Sequence, residues 1–109
     1  MSLIPEITVE ELRQWQVEKH PHVILDIREI NEVQVSHFDE MTHIPMAFCL
    51  TRQVEIPRNL PVVVHCRSGA RSAATVSALM SKHGFDNLFN LVGGFTAWAK
   101  LMAPGLEVG

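Results

Sequence analysis

Apolar residues follow two alternating rhythms along the chain. Val23-Ile24-Leu25-Asp26-Ile27 and Val62-Val63-Val64-His65 are apolar runs with a charged or polar residue, Asp26 or His65, at or next to the end. A run apolar on both faces is the pattern of a strand in a parallel sheet covered on each side. Leu3 to Ile7 is short, apolar and interrupted by Pro5, which suits an edge strand. Between these runs the apolar positions take helical spacing. Thr8 with Glu11 three residues on forms a capping box, and Val9, Leu12 and Trp15 make a stripe that is read as facing the core rather than a partner. His20-Pro21-His22 ends that helix. Arg28-Glu29 leads into a weaker helical stretch around Val33 and Val35, and 36–42 is polar and loop-like. Within 43–50 the pattern places a short strand toward the end, and 51–59 reads as irregular turns. Ala73, Val76, Leu79 and Met80 mark one face of a long helix with Gly84 at its C′ position. A last strand lies near Leu88 to Leu91. Gly93-Gly94 turns the chain into a helix whose apolar face is Phe95, Trp98, Leu101 and Met102, stopped by Pro104-Gly105.

Strands alternating with helices predict an α/β fold with a mainly parallel sheet. Sites in such sheets form just beyond the carboxyl ends of strands, and Cys66 stands at one. The loop Cys66-Arg67-Ser68-Gly69-Ala70-Arg71-Ser72 has the components of an anion-handling thiol site. A thiolate is the reactive form of cysteine, and a helix N-terminus favours it. A tight strand-to-helix turn aims successive backbone N–H groups inward as a nest, and Gly69 suits such a turn. Arg67 and Arg71 add positive potential and forked donors. Ser68 and Ser72 can donate to an anion or cap the helix. His65 is adjacent in the strand, where neighbours face opposite sides, so it reads as a structural residue rather than the base. Cys49, among Ala47, Phe48 and Leu50, reads as core rather than as a resolving thiol.

Composition narrows the classes. The chain has 109 residues, 47% of them hydrophobic, and a net charge of −3, so one domain over 1–109 with a real core is expected. The two arginines near Cys66 stand out against an acidic background. No basic run points to nucleic acid or a membrane surface, and no apolar run reaches the ~20 residues of a membrane span. Two cysteines make no disulfide framework, and neither Cys-x-x-Cys nor a Cys/His zinc spacing occurs. The scattered histidines 20, 22, 37, 43 and 83 predict no metal site. The N-terminus carries no signal-peptide pattern, so a cytoplasmic location is expected.

Three segments together resemble a single-domain rhodanese, the thiosulfate sulfurtransferase family. Leu25-Asp26-Ile27-Arg28-Glu29 is similar to its first signature, the Cys66 loop to its active loop, and Leu91-Val92-Gly93-Gly94-Phe95-Thr96-Ala97-Trp98 to its C-terminal motif. The family's Gly-His-Ile-Pro-Gly-Ala stretch departs. Ser36-His37-Phe38-Asp39-Glu40-Met41 keeps the usual spacing, with Thr42 to Met46 as the strand and Ile-Pro that follow. Thr42-His43-Ile44-Pro45-Met46-Ala47 keeps the letters but requires an insertion.

The resemblance implies a three-layer sandwich, a five-stranded sheet with helices on both faces. It implies that Cys66 becomes a persulfide by taking sulfur from thiosulfate or a similar small anion, while N–H groups from Arg67 through Ser72 cradle that sulfur. A thiol or cyanide, or a protein acceptor, then removes it, with no metal or organic cofactor. The competing readings are a phosphatase or arsenate reductase on the same fold, a non-catalytic interaction module and a persulfide carrier. Phosphatases of this fold carry five residues between cysteine and arginine; four separate Cys66 from Arg71, a smaller nest suited to one sulfur atom.

Overall fold

The computed structural model describes residues 3–109; residues 1 and 2, the start of the expected domain, lie outside the described residues. Five strands form one sheet: β1 (Glu6–Ile7), β2 (Val23–Asp26), β3 (Thr42–His43), β4 (Val62–His65) and β5 (Leu88–Leu91). They lie in the order β1-β5-β4-β2-β3, and every pairing is parallel. The four helices are α1 (Val9–Val17), α2 (Ile30–Val35), α3 (Ala70–His83) and α4 (Gly94–Met102).

The strand that precedes Cys66 is central. All four residues of β4 are buried, and their side chains divide between two cores, as strand alternation requires. Val62 and Val64 pack on one face with Leu25, Ile27 and the α3 residues Val76 and Leu79. Val63 packs on the other with Ile24, Leu91, Leu12 of α1, and Phe95 and Trp98 of α4. Helix α3 therefore covers one face and α1 with α4 the other. These are the three layers expected, and they explain why β2 and β4 are apolar on both sides.

Local signals set the helix ends. Thr8 and Glu11 form the capping box of α1 through reciprocal bonds of 2.9 and 3.1 Å. Gly84 closes α3 in the left-handed region, φ +67°. Three local expectations are corrected. The third strand is Thr42–His43, ahead of the segment where the apolar pattern set it, and Met46–Phe48 is a 3-10 turn. Ile44 and Pro45 follow that strand, in agreement with the register through Ser36-His37-Phe38, and Phe38 of that loop is buried. The face of α4 is shorter than its pattern: Phe95 and Trp98 are buried, while Leu101 and Met102 are exposed. Neither Ser68 nor Ser72 caps α3; Gly69 occupies the N-cap, at φ +102° and with no side-chain cap.

Candidate active site

Strand β4 ends at His65, and the next residue turns into the loop before α3. Gly69 makes the turn with positive φ, which a residue bearing Cβ rarely adopts; its carbonyl starts the helix by accepting from Ala73 N–H. The turn folds the loop back on Cys66. Gly69 N–H donates to Cys66 Sγ at 3.1 Å, Ser72 N–H donates at 3.4 Å, and Ser72 Oγ lies 3.4 Å from the sulfur. Burial pushes the thiol up; hydrogen bonds at the sulfur, those from the N–H groups of Ser72, Gly69 and Ser68 among them, act the other way, and the balance lies below its ordinary value. Cys49 has no such cradle. It is buried against the carbonyls of Ile44 and Pro45, and burial pushes its thiol up to about 11. One of the two cysteines is thus set for ionisation and the other against it.

The loop is anchored from below by α4. Phe95 N–H donates to the Cys66 carbonyl at 2.9 Å and Thr96 N–H to the Arg67 carbonyl at 3.0 Å. This docking requires Gly94. Its φ is +60°, and a Cβ there would lie 2.6 Å from the carbonyl oxygens of both Cys66 and Arg67. The Gly-Gly pair and the cysteine loop, with Gly94 28 residues beyond Cys66 in sequence, are two halves of one structure.

The charged residues sort themselves differently from their spacing. Arg71 reaches across to α2 and donates to both carboxylate oxygens of Glu32, at 2.8 Å each. The Arg71 guanidinium bonded to Glu32 holds that carboxyl down at about 2. Glu32 also accepts from Glu29 N–H at the start of α2, so the pair ties α2 to the loop. Arg67 has an exposed side chain, while its carbonyl is the anchor for Thr96. Ala70 and Arg71 occupy the first turn of α3, where N–H groups have no intrahelical acceptor. Ser68 is exposed.

Behind the loop lies a buried polar group. Arg28 is fully buried and donates to Asp26, to the Ser36 carbonyl and to the Val108 carbonyl. Burial acts to raise the Asp26 carboxyl, but Arg28 holds it below its ordinary value. His65 Nε2 stands 3.5 Å from an Asp26 carboxylate oxygen and makes no hydrogen bond to it. Burial pushes its imidazole down to about 4 despite that carboxylate, so the ring is neutral at neutral pH. It packs against Phe38 and Phe95. His65 is therefore part of the core on the face away from the sulfur.

Two contributors escaped the sequence reading. Glu32, within a weak helix, carries no motif of its own. Asn90, an interior residue of β5, is buried and bonds both Ser72 and Gly69. A polar residue inside an apolar strand was the available signal.

A lone thiol beyond the carboxyl end of a central parallel strand, held by N–H groups at a helix start, defines the class of cysteine-centred α/β proteins. The comparisons narrow it. The Rhodanese-like domain family matches residues 8–101, and the chain belongs to that family. A sulfurtransferase of Allochromatium vinosum is 35% identical, with 94% of each chain covered. A thiosulfate sulfurtransferase of Coxiella burnetii is 29% identical over 83% of this chain and 84% of its own. The crystal structure of a rhodanese-like domain protein from Staphylococcus aureus superposes with a TM-score of 0.82 at 29% identity, covering 97% and 99% of the two chains.

Proposed function

We propose that the protein is a sulfurtransferase in which Cys66 carries the sulfur as a persulfide. The observation that supports this most is the set of backbone donors converging on Cys66 Sγ. They favour the thiolate that must attack, and the four-residue spacing from Cys66 to Arg71 makes a small nest that suits one sulfur atom. With thiosulfate, the Cys66 thiolate attacks the outer sulfur, the S–S bond to the sulfonate breaks, and its electron pair leaves with sulfite. The negative charge then resides on the terminal sulfur of Cys66–S–S⁻. In this reading the loop N–H groups from Arg67 through Ser72, of which Gly69 and Ser72 already donate to Sγ, receive that charge. A thiol or cyanide next attacks the terminal sulfur and regenerates the thiolate. This is two-step covalent catalysis with ping-pong kinetics.

Arg67 and Arg71 supply positive potential for an anionic donor. Glu32 offsets much of the charge of Arg71, so the pull is weaker than two free arginines provide. No step calls for a metal or an organic cofactor, nucleic acid or a membrane. No helix among the described residues is long and apolar enough to cross one. The chemistry suits a reducing cytoplasm, where the thiol and its thiol acceptors persist.

Intact mass after incubation with thiosulfate tests the reading. The expected result is a gain of one sulfur that cyanide removes and that Cys66→Ser lacks while keeping its fold. No gain in mass, together with Cys66-dependent hydrolysis of an aryl phosphate, would replace sulfur transfer by phosphatase chemistry.

A further inference from the structure

Counting protons around Cys66 assigns a role to a residue that does not touch it. Asn90, from the strand next to β4, has two contacts on the cysteine loop. Its Nδ2 donates to the Gly69 carbonyl at 3.3 Å, and its Oδ1 accepts from Ser72 Oγ at 2.5 Å. The orientation of the amide follows from its partners: the Gly69 carbonyl only accepts, so the NH2 group must face it. Oδ1 therefore faces Ser72. The Ser72 hydroxyl has a single proton, and this acceptor takes it. What Ser72 Oγ turns toward Cys66 Sγ, 3.4 Å away, is lone-pair density.

We propose that Asn90 is a positioning residue that withholds the Ser72 hydroxyl proton from the Cys66 thiolate. This rests on the reading of Cys66 as the sulfur-accepting nucleophile. Its benefit lies in the direction the charge moves. During persulfide formation the negative charge leaves Sγ for the atom beyond it. A hydroxyl proton bonded to Sγ would stabilise the starting thiolate more than the transition state, and only the difference counts toward rate. It would also make the sulfur a weaker nucleophile, since nucleophilicity falls as thiol pKa falls. The backbone N–H groups do not share this defect, because they line the path the charge takes.

The charged groups that bear on Cys66 are accounted for. Arg71 of α3 is paired with Glu32 of α2, and Arg67 is beside it in the loop. Asp26 and Arg28 at the end of β2 neutralise each other, and His65 is neutral. Strand β5 and the first turn of α4 contain no charged residue. Asn90 and Ser72 thus act on the thiol through one proton, which a mutant cycle can isolate.

The test is the pH dependence of Cys66 alkylation by iodoacetamide, read peptide by peptide by mass spectrometry so that Cys49 does not contribute. In Asn90→Leu the hydroxyl is free to donate to the thiolate. The midpoint is expected to fall by about one pH unit, and the high-pH plateau rate to fall about threefold. Ser72→Ala is expected to move the midpoint by less than about 0.3 unit, because its proton was committed elsewhere. The double variant should match Ser72→Ala. An unmoved midpoint in Asn90→Leu, or the same fall in the Ser72→Ala background, overturns the proposal. So does a rise of about one unit in Ser72→Ala alone, a result that decides the matter even if Asn90→Leu does not fold. Alkylation needs no sulfur donor, so its outcome is separate from whether thiosulfate loads Cys66.

Discussion

At the scale of single residues, two thiols on one chain have opposite characters because of what surrounds them. Cys66 has N–H donors at 3.1 and 3.4 Å, whereas the hydrogen-bond partners of Cys49 are carbonyl oxygens. Cys49→Ala is accordingly expected to leave sulfur uptake within about twofold of wild type, since it removes a small buried side chain and its weak bonds to the Ile44 and Pro45 carbonyls, away from the Cys66 loop; a large loss in the mass assay would make Cys49 part of the chemistry. The Arg71–Glu32 pair yields a second expectation. Glu32→Gln removes the carboxylate that offsets Arg71, so the KM for thiosulfate should fall about three- to tenfold with little change in kcat. Arg71→Ala should raise that KM, and both effects should shrink at high salt. Steady-state kinetics at two ionic strengths checks both. Arg71 was legible from its place in the loop. Its partner was not, because a bond across 39 residues has no local signature.

At the scale of elements, the site is a joint between the β4–α3 loop and the start of α4. Helix α4 donates Phe95 and Thr96 N–H groups to the Cys66 and Arg67 carbonyls, and Gly94 allows the two backbones to approach. Gly94→Ala forces a Cβ into those carbonyl oxygens at 2.6 Å and a non-glycine residue into φ +60°. It is expected to cost about 2–4 kcal/mol, seen as a lower urea midpoint, and to slow persulfide formation as the loop shifts. An equal change at Gly105, at φ +91° but with nothing within 4 Å of its Cβ, carries the backbone strain without the clash and should cost less. The double glycine was visible as a turn signal. Its role as the seat of the cysteine loop required the two segments to be placed together. The misplaced third strand has a similar origin. Met46, Ala47, Phe48 and Cys49 are apolar enough for a strand, but β3 pairs with β2 for only two residues. Beyond it, backbone bonds within the segment form a 3-10 turn.

At the scale of the whole molecule, the sheet encloses ionisable groups, and this makes stability depend on pH. His65 titrates near 4 when folded, against 6.5 when free. Between those values the unfolded chain binds more protons, so this contribution is complete above about 6.5 and is lost as pH falls to 4, about 3 kcal/mol in all. Glu32 acts in the same direction lower down: its stabilisation is present above 4.5 and disappears as pH falls toward 2. Urea unfolding at pH 7, 5.5 and 4 should show wild type weakening across that range. His65→Phe, which keeps a ring between Phe38 and Phe95, should flatten the profile between 6.5 and 4 and leave the decline below 4.5.

The order of strands and helices, the two-faced burial of β2 and β4, the edge position of β1 and the candidate cysteine were all determined by the sequence alone. Each depends on the period of apolar residues or on turn chemistry over a few positions, and both are local. The tertiary structure decided which donors reach the sulfur, that Glu32 holds Arg71, that Asn90 holds the Ser72 proton, and that His65 is neutral and buried. Those depend on distances between residues far apart in the chain and on exclusion of water. Neither is written in the spacing of residues along a strand or a helix.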